Sequence, residues 1–336
     1  MSSLKKIYYK GASLLPSGLF RSGGPQRLLL PYHHTVSNNT LEHIAHLYAY
    51  KNEKQFISDL DFLLKHYTPA TADDIYTAVK NNHPFQKGSF LLSFDDGFRE
   101  IYDVIAPILE KKGVPAIFFV NPSFIDNRKL FYRCKISILA GQLKRNPSLL
   151  PAFATALNTT VADSNEIIEM LKKVNQNNTA VLDTIAATIG YSFDEFLRTQ
   201  LPFASAEQLI NLHKRGFTIG AHSMDHPYYA LLDEQDQVDQ TIRSVHYVKE
   251  LLRTDTCHFS FPHSDAVVSQ KVIGQINEQM NGLLFGIQNQ KAELHNNILH
   301  RFNAERPETS AAELVKGQLL LNRIQQAAGK NSVKRN

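Results

Sequence analysis

Two short runs in this 336-residue chain carry side chains that can hold a metal ion and activate water. Asp95 and Asp96 stand together before a glycine, and His222 and His226 lie four positions apart. One carboxylate with two imidazoles is a typical ligand set for a catalytic metal ion, because it leaves coordination positions open for water and substrate. The second carboxylate is then free to act as a general base on that water. This pattern indicates metal-assisted hydrolysis.

The segments before these residues read as buried strands, which places the polar residues at strand ends. Residues 90–94 (FLLSF) form a mostly apolar run that stops at Asp95, and residues 217–221 (FTIGA) form another that stops at His222. An apolar stripe at helical spacing over residues 101–109 follows the first run, as in a βαβ unit. Because the carboxyl ends of all strands of a parallel barrel lie on one face, we expect the two carboxylates and two imidazoles to converge there.

The rest of the chain continues this alternation with one interruption. Between residues 127 and 202 only helical patterns occur, separated by polar turns, which predicts a helical insertion over the active face. Pro107 predicts a kink or a late start of its helix. We expect an N-terminal segment (1–26), a barrel (27–126 and 203–325), the insertion (127–202) and a solvated basic tail (326–336), with further strands near 27–32, 116–120, 258–261, 283–285 and 297–299.

Composition excludes several classes of protein. The net charge of +4 comes from scattered lysines and arginines, so we expect no nucleic-acid partner. Two cysteines are too few for a disulfide scaffold, and their apolar neighbours indicate buried free thiols. No apolar stretch approaches the roughly 18 residues that a membrane span needs. The sequence does not allow a protein partner to be inferred.

The N-terminus is basic, with Lys5, Lys6 and Lys10, but neither a continuous apolar core nor a small-residue cleavage site follows it. We therefore expect a cytoplasmic location. Residues 4–20 have the composition of a short amphipathic segment, so peripheral contact with the inner membrane surface is one interpretation. Packing of this segment against the rest of the protein is the favoured one.

The two runs resemble the signatures of one enzyme family. Residues 93–97 (SFDDG) are similar to the [Thr/Ser]-Phe-Asp-Asp-Gly signature of the polysaccharide deacetylases, the NodB-homology or carbohydrate esterase family 4 enzymes. Residues 220–226 (GAHSMDH) resemble their second signature, Gly-x-His-[Ser/Thr]-x-x-His, and residues 32–33 the opening Tyr-His of one branch. The resemblance covers residues 27–125 and 203–305, and it implies an α/β fold, a distorted parallel (β/α) barrel of the NodB-homology type with a helical insertion.

The resemblance also implies a chemistry. It assigns Asp96, His222 and His226 as ligands of one divalent metal ion, zinc or another first-row metal. It assigns Asp95 as the general base on the attacking water. The metal would polarise an amide carbonyl and help to hold the oxyanion. The implied reaction removes an N-acetyl or other N-acyl group from a polysaccharide or saccharide precursor.

One later signature departs from the family pattern. The third signature often has an arginine two residues before a proline, where it orients the base, but Ser260 stands at that place here. Arg301 lies at the end of a neighbouring predicted strand. We expect Arg301 to supply the missing cation.

The general acid is less well determined by the resemblance. The last family signature, Leu-x-His, matches residues 298–300 (ILH) and makes His300 the leading candidate acid. In the Tyr-His branch this place often reads Leu-x-Arg, which would align Arg301 and leave His300 without a role. His263, which follows a strand-ending proline, is the second candidate acid. The candidates for contact with the substrate or oxyanion are Pro262, His263 and His33.

Two other functions fit the same residues. The site could hydrolyse another linear or cyclic amide, such as a formamide or a cyclic ureide. Alternatively, the departures in the later signatures would suit a catalytically inactive barrel that binds carbohydrate. Release of acetate from an N-acetylated glycan separates the deacetylase from both alternatives.

Overall fold

The computed structural model of the protein describes residues 3–14, 28–85 and 88–336, with side chains of the first range from Ile7 onward. The predicted strand over residues 27–32 corresponds to two short strands, and Arg27 lies outside the described residues. The strands are β1 (Leu28–Leu29), β2 (Pro31–His33), β3 (Thr68–Pro69), β4 (Ser89–Phe90), β5 (Leu92–Phe94), β6 (Ala116–Val120), β7 (Thr218–Ala221), β8 (Phe259–Ser260), β9 (Leu284–Gly286), β10 (Ile298–His300) and β11 (Phe302–Asn303).

Within the described residues, eight strands form one parallel sheet that nearly closes into a barrel. The strand order is β10-β9-β8-β7-β6-β5-β2-β11, and only Arg301 separates β10 from β11. At one edge β10 pairs with β9, and at the other β11 pairs with β2. Residues 298–303 therefore join the two edges of the sheet. The predicted α/β fold, a distorted parallel barrel with helices, is confirmed. Strands β1, β4 and β3 form a second parallel sheet.

Helices cover the barrel and form the insertion. In the described parts of the chain, no helix is long and apolar enough to cross a membrane. The α-helices are α1 (Ser3–Ser13), α2 (Glu53–His66), α3 (Ala72–Lys80), α4 (Ala106–Lys112), α5 (Tyr132–Arg145), α6 (Leu150–Ala156), α7 (Ser164–Leu171), α8 (Ala180–Thr188), α9 (Phe193–Gln200), α10 (Ala206–Lys214), α11 (Glu234–Leu252), α12 (Gln270–Gln279) and α13 (Ala311–Ala327).

Local sequence signals explain where several helices begin and end. Ser205 and Gln208 form a capping box at the start of α10. Gly113 ends α4 in the left-handed conformation, with φ 65°. Residues 101–105 form a π-helix, and α4 begins only at Ala106, with Pro107 in its first turn. The late helix start that Pro107 predicts is confirmed, because proline fits the first turn of a helix but not its interior.

Side chains of the barrel strands alternate between two apolar layers. In β6, Ile117 and Phe119 face the barrel interior, where Phe119 packs against Phe285 of β9. Phe118 and Val120 of the same strand face the surrounding helices. This period of two decides which residues near the strand ends can reach the inside of the barrel.

The helices α5 to α9 pack around an apolar core of their own. Phe153, Leu182 and Ile185 are fully buried in this core, which also includes Phe98 of the barrel. Both cysteines are buried as free thiols, as predicted, and Cys134 belongs to this second core. These helices occupy the stretch in which the insertion was predicted, while the exact domain bounds stay predictions.

The N-terminal helix α1 packs against the C-terminal helix α13. The hydroxyl of Tyr8 donates a hydrogen bond to the carbonyl oxygen of Gly317 at 2.7 Å. The ammonium group of Lys316 donates to the carbonyl oxygen of Ser13 at 2.8 Å. Helix α1 thus packs against the rest of the protein, which is the favoured interpretation of the N-terminal segment. Residues 15–20 lie outside the described residues.

The expectation of a solvated C-terminal tail is wrong for Arg335. Its guanidinium lies 2.8 Å from a carboxylate oxygen of Asp265 and 2.7 Å from one of Glu293, and its side chain is only 1% exposed. The tail after α13 also forms a β-bridge between Ser332 and Ala292. Among the described residues, His300 also contacts these two carboxylates, but at 3.7 and 3.2 Å it lies farther from them than Arg335 does. Arg335 is therefore the main cation that balances this buried pair.

We predict that Arg335→Met destabilises the protein by about 3 kcal/mol or more, because it leaves two buried carboxylates without their cation. The free energy of unfolding, measured by denaturant titration, would show this loss. Lys334→Met removes the same charge from an exposed neighbour and should change that free energy by less than about 0.5 kcal/mol. Equal stability of the two variants would contradict the assignment.

Candidate active site

The turn after β5 brings both aspartates to the end of the barrel. The backbone N–H of Asp95 donates to the carbonyl oxygen of His33 at 2.9 Å, which continues the sheet ladder to this residue. Asp96 and Gly97 then adopt left-handed backbone conformations, with φ 72° and 66°. For a non-glycine residue this conformation costs on the order of 1 kcal/mol or more. Both carboxylates remain buried in this tight turn.

The loop after β7 brings in the two histidines. The strand can approach its neighbours because Gly220 has no side chain: a Cβ there would lie 2.6 Å from a ring carbon of Phe119. The side-chain amide of Asn121 donates a hydrogen bond to the carbonyl oxygen of His222. His226 has a left-handed backbone with φ 60°. These constraints turn both imidazoles toward the aspartates.

Asp96, His222 and His226 form a group with the geometry of a metal site. Oδ1 of Asp96 lies 3.5 Å from Nε2 of His222 and 3.2 Å from Nε2 of His226. One potential ligand atom from each residue lies within 4.8 Å of the other two. Nδ1 of His222 bonds to the carbonyl oxygen of Ser260 at 2.7 Å, which leaves the Nε2 lone pair for a metal.

The electrostatics of this group also fit a cation. Oδ1 of Asp96 is buried and has no hydrogen-bond partner among the described residues. Burial alone would raise the pKa of Asp96, but the neighbouring imidazoles, first that of His226, hold it well below its usual range. Burial lowers the pKa of His222 to about 4, so its ring is neutral at physiological pH. An ionised carboxylate oxygen beside two imidazole rings is a donor set that a divalent metal satisfies.

Asp95 is held by a buried arginine. Nη1 and Nη2 of Arg301 donate to the two carboxylate oxygens of Asp95 at 2.7 and 2.8 Å. Nη1 also donates to the hydroxyl of Ser93, and Nη2 to that of Ser260, at 2.9 and 2.6 Å. Burial alone would raise the pKa of Asp95, but the guanidinium outweighs it and lowers that pKa. Asp95 is therefore ionised, and its rotation is restricted by the bidentate pair.

These residues open into a cavity of about 210 Å³. Its walls come from the strand ends, from the loop after β2 and from the start of the helical insertion. Asp225, between the two histidines in sequence, instead lies near the surface against Lys129. The residues that line the cavity are Tyr32, His34, Leu47, Tyr48, Asp95, Asp96, Phe98, Phe131, Arg133, Cys134, His222, His226, Phe261, His263 and Ile287.

His34, the residue directly after β2, lines this cavity. Its Nδ1 lies 2.7 Å from Oε2 of Glu305, while Oε1 of Glu305 accepts the backbone N–H groups of His34 and Thr35. Burial alone would lower the pKa of His34, but the Glu305 carboxylate outweighs it and raises that pKa to about 9. His34 is therefore a protonated group on the wall of the cavity. His34 directly follows β2, and the sequence carries no signal that tells which of the two neighbouring histidines faces inward.

The structure does not bring every candidate residue to the site. His33 faces the helices, where its ring packs against Phe94 and Phe56, and it does not line the cavity. Pro262 is buried but does not line the cavity, whereas His263 does. The ring of His263 lies 4.4 Å from that of His226, and its Nε2 has no hydrogen-bond partner in the described part of the chain.

His300 lies outside the cavity as well. Its side chain faces away from the barrel interior and is fully buried, with Nε2 at 3.2 Å from Glu293 and Nδ1 at 3.7 Å from Asp265. Both carboxylates also pair with Arg335. The physical reason is the alternation of strand side chains: His300 and Arg301 must face opposite sides, and Arg301 occupies the inside. The geometry therefore does not support His300 as the acid.

Comparison with known proteins agrees with this geometry. The profile of the polysaccharide deacetylase family matches residues 82–281, which is more than half of the chain. The chain belongs to the polysaccharide deacetylase family. It is accordingly a hydrolase that acts on carbon–nitrogen amide bonds. The matched range includes the aspartates, the two ligand histidines, His263 and the helical insertion, but not Arg301.

Solved deacetylase structures share the fold. The deacetylase PplD of Streptococcus pyogenes, in complex with acetate, has a TM-score of 0.58 at 16% identity, over 88% of this chain and 99% of that chain. IcaB from Ammonifex degensii has a TM-score of 0.54 at 16% identity, over 87% and 96%. A de-N-acetylase from Aggregatibacter actinomycetemcomitans has 0.53 at 14% identity, over 87% and 99%. At these identities the likeness concerns the fold alone. No curated protein matches the chain.

We predict that the wild-type deacetylase binds about one divalent metal ion per chain, and that Asp96→Asn and His226→Gln each weaken this binding by about 100-fold or more. Elemental analysis after dialysis measures the number of metal ions per chain. Calorimetric titration of metal into protein that a chelator has stripped measures the metal affinity. Asp225→Asn is the matched control, because it removes a carboxylate from the same loop without touching the group. Metal loss in that control, or a wild type that takes up no metal, would contradict the site.

Proposed function

We propose that the protein removes an N-acetyl or other N-acyl group from a saccharide unit of a polysaccharide or its precursor. One observation carries this proposal: the Asp96/His222/His226 group and a carboxylate fixed by Arg301 open into the same cavity. Family membership supports the reaction type. The proposed chemistry is hydrolysis of the amide by water.

In this proposal Asp96, His222 and His226 hold one divalent metal ion. The nitrogen and oxygen donors suit zinc and other first-row metals alike. When bound, such an ion lowers the pKa of a water molecule and polarises the acyl carbonyl. The protein contributes a fixed donor set, since strained backbone turns hold Asp96 and His226 in place.

Asp95 acts as the general base. It is ionised, and the fork of Arg301 fixes both of its oxygens, so that it is oriented before substrate arrives. It takes one proton from the attacking water as the new carbon–oxygen bond forms. The fixed guanidinium then stabilises the position of the carboxyl group without itself touching substrate.

His34 acts as the general acid. An amine cannot leave as its anion, so a proton must reach the sugar nitrogen as the carbon–nitrogen bond breaks. His34 lines the cavity, and Glu305 raises its pKa to about 9, so it holds a proton at neutral pH. The pKa of Asp95 is lowered and that of His34 raised, which is the division of labour expected of a base and an acid in one site.

His263 has a different role in this proposal. Burial, with His226 and Arg133 close by, holds the pKa of His263 well below its usual value, so the ring is neutral. Its ring is stacked on that of Tyr228 at 3.6 Å and an interplanar angle of 6°. The unpartnered Nε2 gives the substrate a hydrogen-bonding group next to the metal ligands. Of the three candidates for contact with the substrate, His263 is the one that lines the cavity, and we assign it this role.

The alternatives remain distinguishable. Hydrolysis of another amide would use the same residues, so only the substrate screen separates it from deacetylation of a saccharide. An inactive carbohydrate-binding barrel would have no need for an ionised Asp95 held by a buried arginine. The cytoplasmic location and contact with the inner membrane surface stay predictions, which fractionation of cells would test.

We predict that purified, metal-loaded protein releases acetate from N-acetylated oligosaccharides, and that His34→Gln lowers turnover by about 100-fold or more because the amine loses its proton donor. An enzyme-coupled acetate assay measures both. His33→Gln is the matched control: it alters the neighbouring histidine, which faces the helices, and should retain turnover in its folded form. Equal losses in the two variants would reject His34 as the acid.

The pH dependence tests the acid independently. Turnover should fall as the pH rises through the pKa of His34, because the acid is then deprotonated. Glu305→Gln removes the carboxylate that raises this pKa, so the alkaline limb should move to lower pH by about one unit or more. Glu293→Gln removes the carboxylate beside His300 instead. If the alkaline limb moves in Glu293→Gln but not in Glu305→Gln, the acid is His300 and not His34.

A further inference from the structure

We propose that Arg133 selects substrates that carry a negative charge, a carboxylate or a phosphate, close to the N-acylated sugar. This inference rests on the proposed deacetylase function and specifies its substrate class. Arg133 lies in the first turn of α5, the first helix of the insertion, and its side chain lines the catalytic cavity. The insertion therefore adds a cation to a site whose other polar residues come from the barrel.

Arg133 has no counter-ion in the described part of the chain. Its Nη1 donates a hydrogen bond to the hydroxyl of Tyr228 at 2.6 Å, and Tyr228 is a neutral residue. The first turn of α5 contains no acidic side chain. By contrast, the buried arginines Arg301 and Arg335 each pair with a carboxylate. A half-buried guanidinium without such a partner gains most from an anion that enters the cavity.

The charges of the cavity leave no internal anion for Arg133. The carboxylate of Asp95 is paired with Arg301, and that of Asp96 faces the metal-ligand imidazoles. His34 is paired with Glu305. With a divalent cation bound, the positive charges around the cavity would outnumber the negative ones. Electrostatic complementarity therefore favours a substrate that is itself negative.

The position of Arg133 suits a group on the reacting sugar or its neighbour. Tyr228, which accepts the hydrogen bond from Arg133, is stacked on His263, and the ring of His263 lies 4.4 Å from that of His226. The rings of Tyr228 and His263 therefore lie between the guanidinium of Arg133 and His226, a proposed metal ligand. Its planar fork matches the two oxygens of a carboxylate or a phosphate, so both share the chemistry that this site recognises.

The test compares matched substrates. The neutral probe is the methyl glycoside of N-acetylglucosamine, and the charged probes are its 6-phosphate, its uronic acid and N-acetylglucosamine 1-phosphate. Acetate release gives kcat and KM for the metal-loaded protein. Equilibrium binding of the same probes to protein from which a chelator has removed the metal gives a second readout that does not depend on turnover. Arg133→Met removes the charge, Arg133→Lys keeps it, and Lys144→Met removes an exposed charge from the same helix as the control.

We expect wild type to prefer at least one charged probe over the neutral one by about 10- to 100-fold in kcat/KM, mainly through KM. Arg133→Met should abolish this preference by lowering kcat/KM for the charged probes much more than for the neutral one, while Lys144→Met keeps it and Arg133→Lys keeps part of it. Preference for the phosphates or for the uronic acid identifies which anion is recognised.

Two outcomes would overturn the inference. One is equal turnover and binding of neutral and charged probes by wild type. The other is an equal loss on all probes in Arg133→Met, which would show that Arg133 acts only by positioning Tyr228 and His263. These outcomes differ from failure of the proposed function itself, in which wild type would release no acetate from any probe or N-acetylated oligosaccharide.

Discussion

The bidentate pair between Arg301 and Asp95 is the interaction on which the arrangement of the site depends. Its guanidinium is fully buried inside the barrel, where a carboxylate, two hydroxyl groups and aromatic rings, including that of Tyr32 at 4.8 Å, surround it. Arg301 is also the single residue between β10 and β11, so it lies where the sheet closes. A shift of this strand by one residue would turn Arg301 outward and leave Asp95 as an unpaired buried charge. Closure of the barrel and ionisation of the base are therefore one constraint.

The convergence of Asp96, His222 and His226 could be predicted from the sequence because its signals are local. Asp96 and His222 each follow a short apolar run, and parallel strands end on the same face of a barrel. Gly97 allows the tight turn after the aspartates, and Gly220 allows the close approach of the second strand. The starts and ends of helices could also be predicted, because capping residues act within one turn of the helix they cap.

Which of His33 and His34, and which of His300 and Arg301, faces inward could not be predicted in the same way. Strands buried on both faces show no alternation of apolar and polar residues, so the sequence does not reveal which of His33 and His34 faces inward. For the same reason, the sequence does not reveal which of His300 and Arg301 faces inward. Contacts between distant parts of the chain were also invisible: His34 and Glu305 lie 271 positions apart, and only the closed barrel makes them neighbours. The burial of Arg335 has the same origin, because its partners belong to other elements.

The closing stretch, residues 298–305, has a consequence for how the cavity would lose its charged pairs. It carries both Arg301, which pairs with Asp95, and Glu305, which pairs with His34. None of the three metal-ligand candidates lies on it. If this stretch separates locally from β2 and β9, both ion pairs are lost together while Asp96, His222 and His226 stay assembled. Local unfolding of residues 298–305 would then uncouple the charged pairs of the cavity without global unfolding of the protein.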